Sequence, residues 1–184
     1  LGDGADVNLQ VFNDTGEEIG TLPDNHEPED FRYNAMYFAA RIGHVDVMQL
    51  MVTNSQHPIN FNLGSTDGDT PLGEAVVYNH FHMVQWFIHH KVDIHFRDKY
   101  GHAPIHLAAY AGSLESLKLL HQAGADINSV VTDGNASGES PLALACDQNR
   151  IPIIRYLLAH GAYTGNLSAE SKALLTNVAG SNTS

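Results

Sequence analysis

Histidine is the side chain of this sequence best suited to acid–base or metal chemistry. There are twelve, and His80, His82, His89, His90 and His95 crowd one stretch. A zinc ion needs three or four such ligands converging on one point at about 2.1 Å. His82 and His89 fall on one helical segment, but His80 precedes it and His95 lies in the loop beyond. No His-Glu-x-x-His and no nearby cysteine complete the set, so the stretch implies no metal site. Exposed histidines of this kind titrate between about pH 5 and 7 and can tune binding there. Cys146 is the only cysteine and sits in an Ala145–Cys146 pair of small residues, the setting of a buried structural thiol rather than a nucleophile. Asp67 and Asp69 pair two carboxylates in a polar turn, with nothing to raise a pKa for acid–base work. Gly2-Asp3-Gly4 lacks the lysine of a phosphate-binding loop. These residues together point to no catalytic site and no cofactor.

The elements that would position such residues repeat. Gly68-Asp69-Thr70-Pro71-Leu72, Gly101-His102-Ala103-Pro104-Ile105 and Gly138-Glu139-Ser140-Pro141-Leu142 are one cassette, and Asn34-Ala35-Met36-Tyr37 opens a worn fourth copy. The caps Asn34, Thr70, Ala103 and Ser140 recur at spacings of 36, 33 and 37 residues. Such a period signals stacked copies of one supersecondary unit. Thr and Ser cap a helix and proline suits its first turn. Ala103 lacks the hydroxyl, so Ala103→Thr is expected to stabilise the fold by ~1 kcal/mol unless a neighbour such as His102 already supplies the cap.

Small residues follow each cap at Ala39–Ala40, Ala75, Ala108–Ala109 and Ala145–Cys146, allowing close helix approach. Gly43, Asn79, Gly112 and Asn149 come nine positions after the caps and mark left-handed stops. A second helix then carries an apolar stripe, from Val47, Met48, Leu50 and Met51 in the first copy to Ile153, Ile154, Leu157 and Leu158 in the last. Trp86, in line with Leu50, Leu119 and Tyr156, is expected in the core. Gly124-Ala125-Asp126-Ile127-Asn128 and Gly161-Ala162-Tyr163-Thr164 close the last two units.

The units resemble ankyrin repeats, most closely over residues 101–128. The resemblance implies an all-α solenoid of stacked helix-turn-helix units joined by hairpin-like loops. The expected organisation is the tail of a preceding repeat over 1–8, an acidic insertion over 9–30 that can form a β-hairpin, and a degenerate repeat over 31–66. Repeats over 67–99, 100–136 (with a loop insertion) and 137–164 follow, then a capping helix or half-repeat and tail over 165–184. Residues 23–30 read as irregular. His44 and His106 resemble the family's structural histidines, whose rings bond neighbouring loops. The opening inside a repeat suggests a monomeric fragment of a larger protein.

Net charge is −12, and residues 1–33 hold nine acids against Arg32 alone. That field repels phosphate backbones, disfavours nucleic acid and favours a partner with a basic surface. No apolar run reaches the ~20 residues of a membrane span. The lone cysteine fits a reducing compartment, so the expected location is intracellular, cytoplasmic or nuclear.

By resemblance, partner-binding positions lie four, three and one residues before each cap and seven and eight after it. The set is Tyr33, Arg41, Asp67, Asp69, Tyr78, Lys99, Tyr100, His102, Tyr110, Glu139, Asp147 and Gln148. Asp30, Phe31, Ile42, Thr66, Val77, Ala111, Ala136 and Ser137 share the register. The implied function is non-catalytic binding of a protein through the concave groove, aided by the acidic insertion. The alternative is a substrate-recruiting arm of a larger enzyme. Asn128 also resembles asparagines that are hydroxylated in such arrays, as does Asn8.

Overall fold

The computed structural model describes residues 28–55, 59–62, 68–134 and 138–180, without the side chains of 28–34 and 179–180. The 1–8 tail, the proposed hairpin within 9–27, Asn8, Thr66, Asp67, Ala136 and Ser137 lie outside the described residues, as does the side chain of Tyr33. The described residues form nine α-helices and no strand. First helices α1 (Pro28–Ile42), α3 (Pro71–Val77), α5 (Pro104–Ala111) and α7 (Pro141–Asp147) stack side by side, followed by α9 (Ala169–Gly180). Second helices α2 (Val45–Asn54), α4 (Phe81–His89), α6 (Leu114–Gln122) and α8 (Ile151–Ala159) form the outer layer.

Helices α3, α5, α7 and α9 begin at side-chain caps. Thr70 Oγ1 accepts from Gly73 N–H at 3.0 Å and Ser140 Oγ from Ala143 N–H at 3.2 Å. Ala103 cannot do this. The reciprocal bond comes from His106, not His102: the His106 Nδ1 accepts from Ala103 N–H at 3.1 Å. Ser168 Oγ caps α9 through Ser171 N–H at 3.1 Å. Helix α1 departs from the sequence expectation. The worn copy has no proline after Asn34, so nothing fixes a helix start there. The helix runs back to Pro28, a residue type that suits a first turn. Residues 28–30 are therefore helical rather than irregular, and Asp30, Phe31 and Tyr33 lie within a helix rather than at a loop tip.

The expected stops hold. Gly43, Asn79, Gly112 and Asn149 all have positive φ, the two asparagines at 58° and 53°. Each next N–H then bonds back to Ala39, Ala75, Ala108 or Ala145, at 2.8–3.0 Å. This closes the helix end in the manner of a Schellman turn. The residue after the turn also reaches across to the preceding layer. His80 Nε2 donates to Arg41 O (2.8 Å), Ser113 Oγ to Val76 O (2.7 Å) and Arg150 Nε to Tyr110 O (3.1 Å). His44, in the matching place of the first copy, is exposed. Its ring makes no hydrogen bond among the described residues, because no earlier layer is described for it to reach. His106 does behave as expected and is fully buried.

Between the layers lie Ala40, Ala75, Ala108, Ala109 and Ala145 with Leu72, Ile105 and Leu142, all buried. Met83, Val84, Phe87, Leu117, Leu120, Ile153, Ile154 and Leu157 seal the second helices from inside. In α2 only Met48 is fully enclosed, whereas Val47 and Leu50 are exposed. Trp86 is a correction. It lies on the flank of the core, half-buried, where its indole N–H donates to Gln49 (3.1 Å) and its ring stacks on His90 (3.7 Å). Its column faces the seam between neighbouring second helices, where a polar tip finds a partner.

Lys91 holds φ 57° where Gly124 and Gly161 stand in later copies. The left-handed conformation costs a side chain about 1–2 kcal/mol, partly offset by glycine's greater freedom when unfolded. Lys91→Gly should therefore raise stability by ~0.5–1 kcal/mol in urea melts. Ser113→Ala should lower it by ~1–3 kcal/mol, because Val76 O loses its buried donor. Equal melts for Ser113→Ala and the parent would show that the bond across layers contributes nothing.

Candidate functional site

The Schellman turns bend the chain away from the last residues of each first helix and leave those residues facing outward. They form a ladder: Arg41–Ile42, Val77–Tyr78, Tyr110–Ala111 and Asp147–Gln148. Tyr78 is 45% and Tyr110 52% exposed, and Ile42, Val77, Asp147 and Gln148 are exposed beside them. Lys99 and Tyr100 project from the adjoining loop, while Asp69, His102 and Glu139 are half-buried there.

Several rungs are held in place. The Arg41 guanidinium lies 4.9 Å from the Tyr78 ring centroid and Lys99 Nζ 5.0 Å from that of Tyr100, both cation–π contacts. Asp98 shapes the loop tip by accepting from Tyr100 N–H (2.9 Å) and His102 N–H (2.8 Å), with His102 Nδ1 at 3.2 Å. Arg97 donates to Gly101 O and Val130 O, tying this loop to the next.

Glu74 is the functional candidate that sequence reasoning missed. It occupies a column with Phe38, Leu107 and Leu144, so a carboxylate stands where three copies carry apolar side chains. That exception was the available signal. Glu74 is only 7% exposed, and its Oε2 has no hydrogen bond; Arg41 Nε approaches to 3.9 Å, an ion pair too long to be one. Burial holds the carboxyl above its usual range. The Tyr37 hydroxyl bond opposes that, Asp69 adds to it, and Arg41 opposes it. Tyr37 is itself pushed up to about 12, first by burial and then by Glu74.

The remaining candidates separate in space. His82 and His89 are exposed on α4, with the His82 ring against Phe81 (3.9 Å). Among the described residues, no three or more His, Cys, Asp or Glu side chains are grouped to hold a metal ion. Cys146 is buried, and burial first, then Asp147, push its thiol up to about 11. Asn128 is exposed, and its side-chain oxygen accepts from Tyr163 N–H at 2.8 Å, linking the last two loops. No helix among the described residues is long and apolar enough to cross a membrane.

A family model described as ankyrin repeats (3 copies) matches residues 7–98 and 78–167. The chain belongs to the ankyrin-repeat family. It is 35% identical over 83 residues to ankyrin repeat domain-containing protein 37 of Xenopus tropicalis, covering 45% of this chain and 50% of that protein. It is 28% identical over 115 residues to a probable 26S proteasome regulatory subunit, p28, of Saccharomyces cerevisiae, covering 62% and 49%. It is 40% identical over 62 residues to human protein phosphatase 1 regulatory subunit 27, covering 34% and 38%. The chain thus spans about half or less of the length of these relatives.

One titration follows from the geometry. His106 Nδ1 accepts from Ala103 N–H, so Nε2 carries the proton and donates to Ser129 O at 3.1 Å. Burial lowers its pKa to about 4, with the Ser129 bond opposing and Arg97 and His102 adding. An unfolded histidine titrates near 6.5. Between pH 6.5 and 4 the unfolded chain therefore takes up a proton that the folded chain refuses. Stability is complete above pH 6.5 and falls towards pH 4, by up to roughly 3 kcal/mol. His106→Gln should be less stable at pH 7 yet lose less between pH 7 and 4.5, measured by urea unfolding at both. A parallel pH dependence in variant and parent would refute the assignment.

Proposed function

We propose that this ankyrin-repeat chain is a non-catalytic interaction module that binds a partner protein through its concave groove. The observation that carries this reading is the ladder of first-helix ends. Ile42, Val77, Tyr78 and Tyr110 stand exposed on successive layers, flanked by Tyr100 and fixed from behind by backbone closure. Aromatic side chains bury large areas at little entropic cost and are enriched among residues that dominate binding energy. The proposed contact set is Tyr33, Arg41, Asp67, Asp69, Tyr78, Lys99, Tyr100, His102, Tyr110, Glu139, Asp147 and Gln148, to which Glu74 adds the groove floor. The acidic 9–30 segment is a proposed auxiliary contact for a basic partner, and an intracellular location is proposed with it.

A second reading rests on the relatives. Two carry names as regulatory subunits, one of the 26S proteasome and one of protein phosphatase 1. In that reading the array is the recruiting arm of a larger enzyme, and the groove still performs the binding. Activity in a longer protein and none in this chain would favour it. Hydroxylation of Asn128 remains a proposal as well: its bond to Tyr163 N–H would have to open for an enzyme to reach it.

Affinity capture from lysate, followed by titration of the retained partner, tests the groove. Tyr78→Ala and Tyr110→Ala should each cost ~1–3 kcal/mol of affinity while changing stability by only ~0.5 kcal/mol. Leu120→Ala should behave oppositely, losing ~2–5 kcal/mol of stability from a core cavity. Full binding by the double tyrosine variant, with binding lost on deletion of residues 9–30, would overturn the groove reading.

A further inference from the structure

Where the loops of the last two cassettes meet the start of α7 there is a cavity of about 270 Å³. Asn128, Val130, Glu139, Ser140, Ala143 and Tyr163 line it. Its polar groups are mostly committed. Ser140 Oγ accepts from Ala143 N–H, and the Asn128 side-chain oxygen accepts from Tyr163 N–H. Glu139 is different. Its backbone is pinned, with its carbonyl accepting from Val131 N–H at 2.9 Å. Among the described residues, no donor reaches its half-buried carboxylate. Asp147 adds negative charge nearby. His102 opposes that effect but is already paired with Asp98 at 3.2 Å.

We propose that this cavity receives one cationic side chain, lysine or arginine, from a partner protein. The match is chemical. Val130, Ala143 and the Tyr163 ring offer an apolar wall for an aliphatic stem, and Glu139 waits at the wall for a charged head. A half-buried carboxylate beside an apolar wall can exchange water for a charge-assisted bond to a cationic head whose stem packs on that wall. Two carboxylates in one field exclude an anion, and a neutral apolar side chain would bury Glu139 further without pairing it. The proposal rests on the reading of this chain as a protein-binding module, and it adds the chemistry of one contact.

The test uses the full 184-residue chain labelled with nitrogen-15. It is titrated with the blocked amino acids Nα-acetyl-lysine methylamide, Nα-acetyl-arginine methylamide and, as the uncharged isostere, Nα-acetyl-norleucine methylamide. The cationic compounds should give saturable shifts in the millimolar range, centred on the amides of Asn128, Val130, Ser140 and Tyr163. Norleucine should give none. Glu139→Gln should keep the native spectrum and weaken the response at least tenfold, and the tighter of the two cations names the residue. Unsaturating shifts spread over the acidic surface, no shifts at all, or an unchanged response in Glu139→Gln would each overturn the proposal. The Tyr78→Ala, Tyr110→Ala double variant keeps the cation response, so failure of the groove reading and failure of this cavity are separately visible.

Discussion

Three layers of the array each receive one side-chain bond from the next. The last turn of a helix leaves carbonyls without partners, and in this fold those carbonyls sit at the seam between repeats, where water cannot serve all of them. A side chain immediately after the left-handed turn answers the need: His80 for Arg41 O, Ser113 for Val76 O and Arg150 for Tyr110 O. The donors are an imidazole, a hydroxyl and a guanidinium, yet they stand at one position of the register and do the same work. Because each bond ends on the turn that presents the exposed ladder, the element that joins the layers also fixes the surface that could meet a partner.

That arrangement makes the molecule nearly one-dimensional, with each layer supported by its neighbours only. A change confined to one layer therefore stays local, and it explains why a carboxylate is tolerated at Glu74. Leu107 and Leu144 of the same column sit in layers of their own, and Tyr37 and Arg41 from the preceding layer stabilise the carboxylate in part. The cost of burying a charge is confined to a single seam and only partly offset there, since the carboxyl stays above its usual range.

How much of this was legible in the sequence follows from range. The cassette, the left-handed stops at Gly43, Asn79, Gly112 and Asn149, the buried thiol of Cys146 and the structural role of His106 are local or register-bound, and the chain spells them out. Bonds between layers are not. His80, Ser113 and Arg150 share no residue type, so no motif marks their common role, and Glu74 is visible only against its column. Trp86 failed as a core residue because an apolar periodicity does not distinguish the centre of a stripe from its edge. Helix α1 was misjudged at its start because the worn copy lacks the proline that sets the others, and absence of a start signal lets a helix lengthen. Of the groove, the register supplied positions; which side chains are exposed, paired or held needed the packing.

The two acidic pairs on the ladder side show what packing adds to charge counting. In the second layer Asp69 raises the burden on Glu74, and Arg41 of the first layer offsets it from 3.9 Å. In the fourth layer Asp147 raises the burden on Glu139, and no ion pair relieves it among the described residues; His102 opposes the effect but is paired with Asp98. Both carboxyls lie above their usual range for the same two reasons, burial and a like charge. They differ in whether the chain supplies its own counter-charge. A net charge of −12 would treat the two alike. The local geometry instead gives Glu74 a long ion pair and a buried oxygen without a hydrogen bond, and leaves Glu139 half-exposed with no ion pair among the described residues.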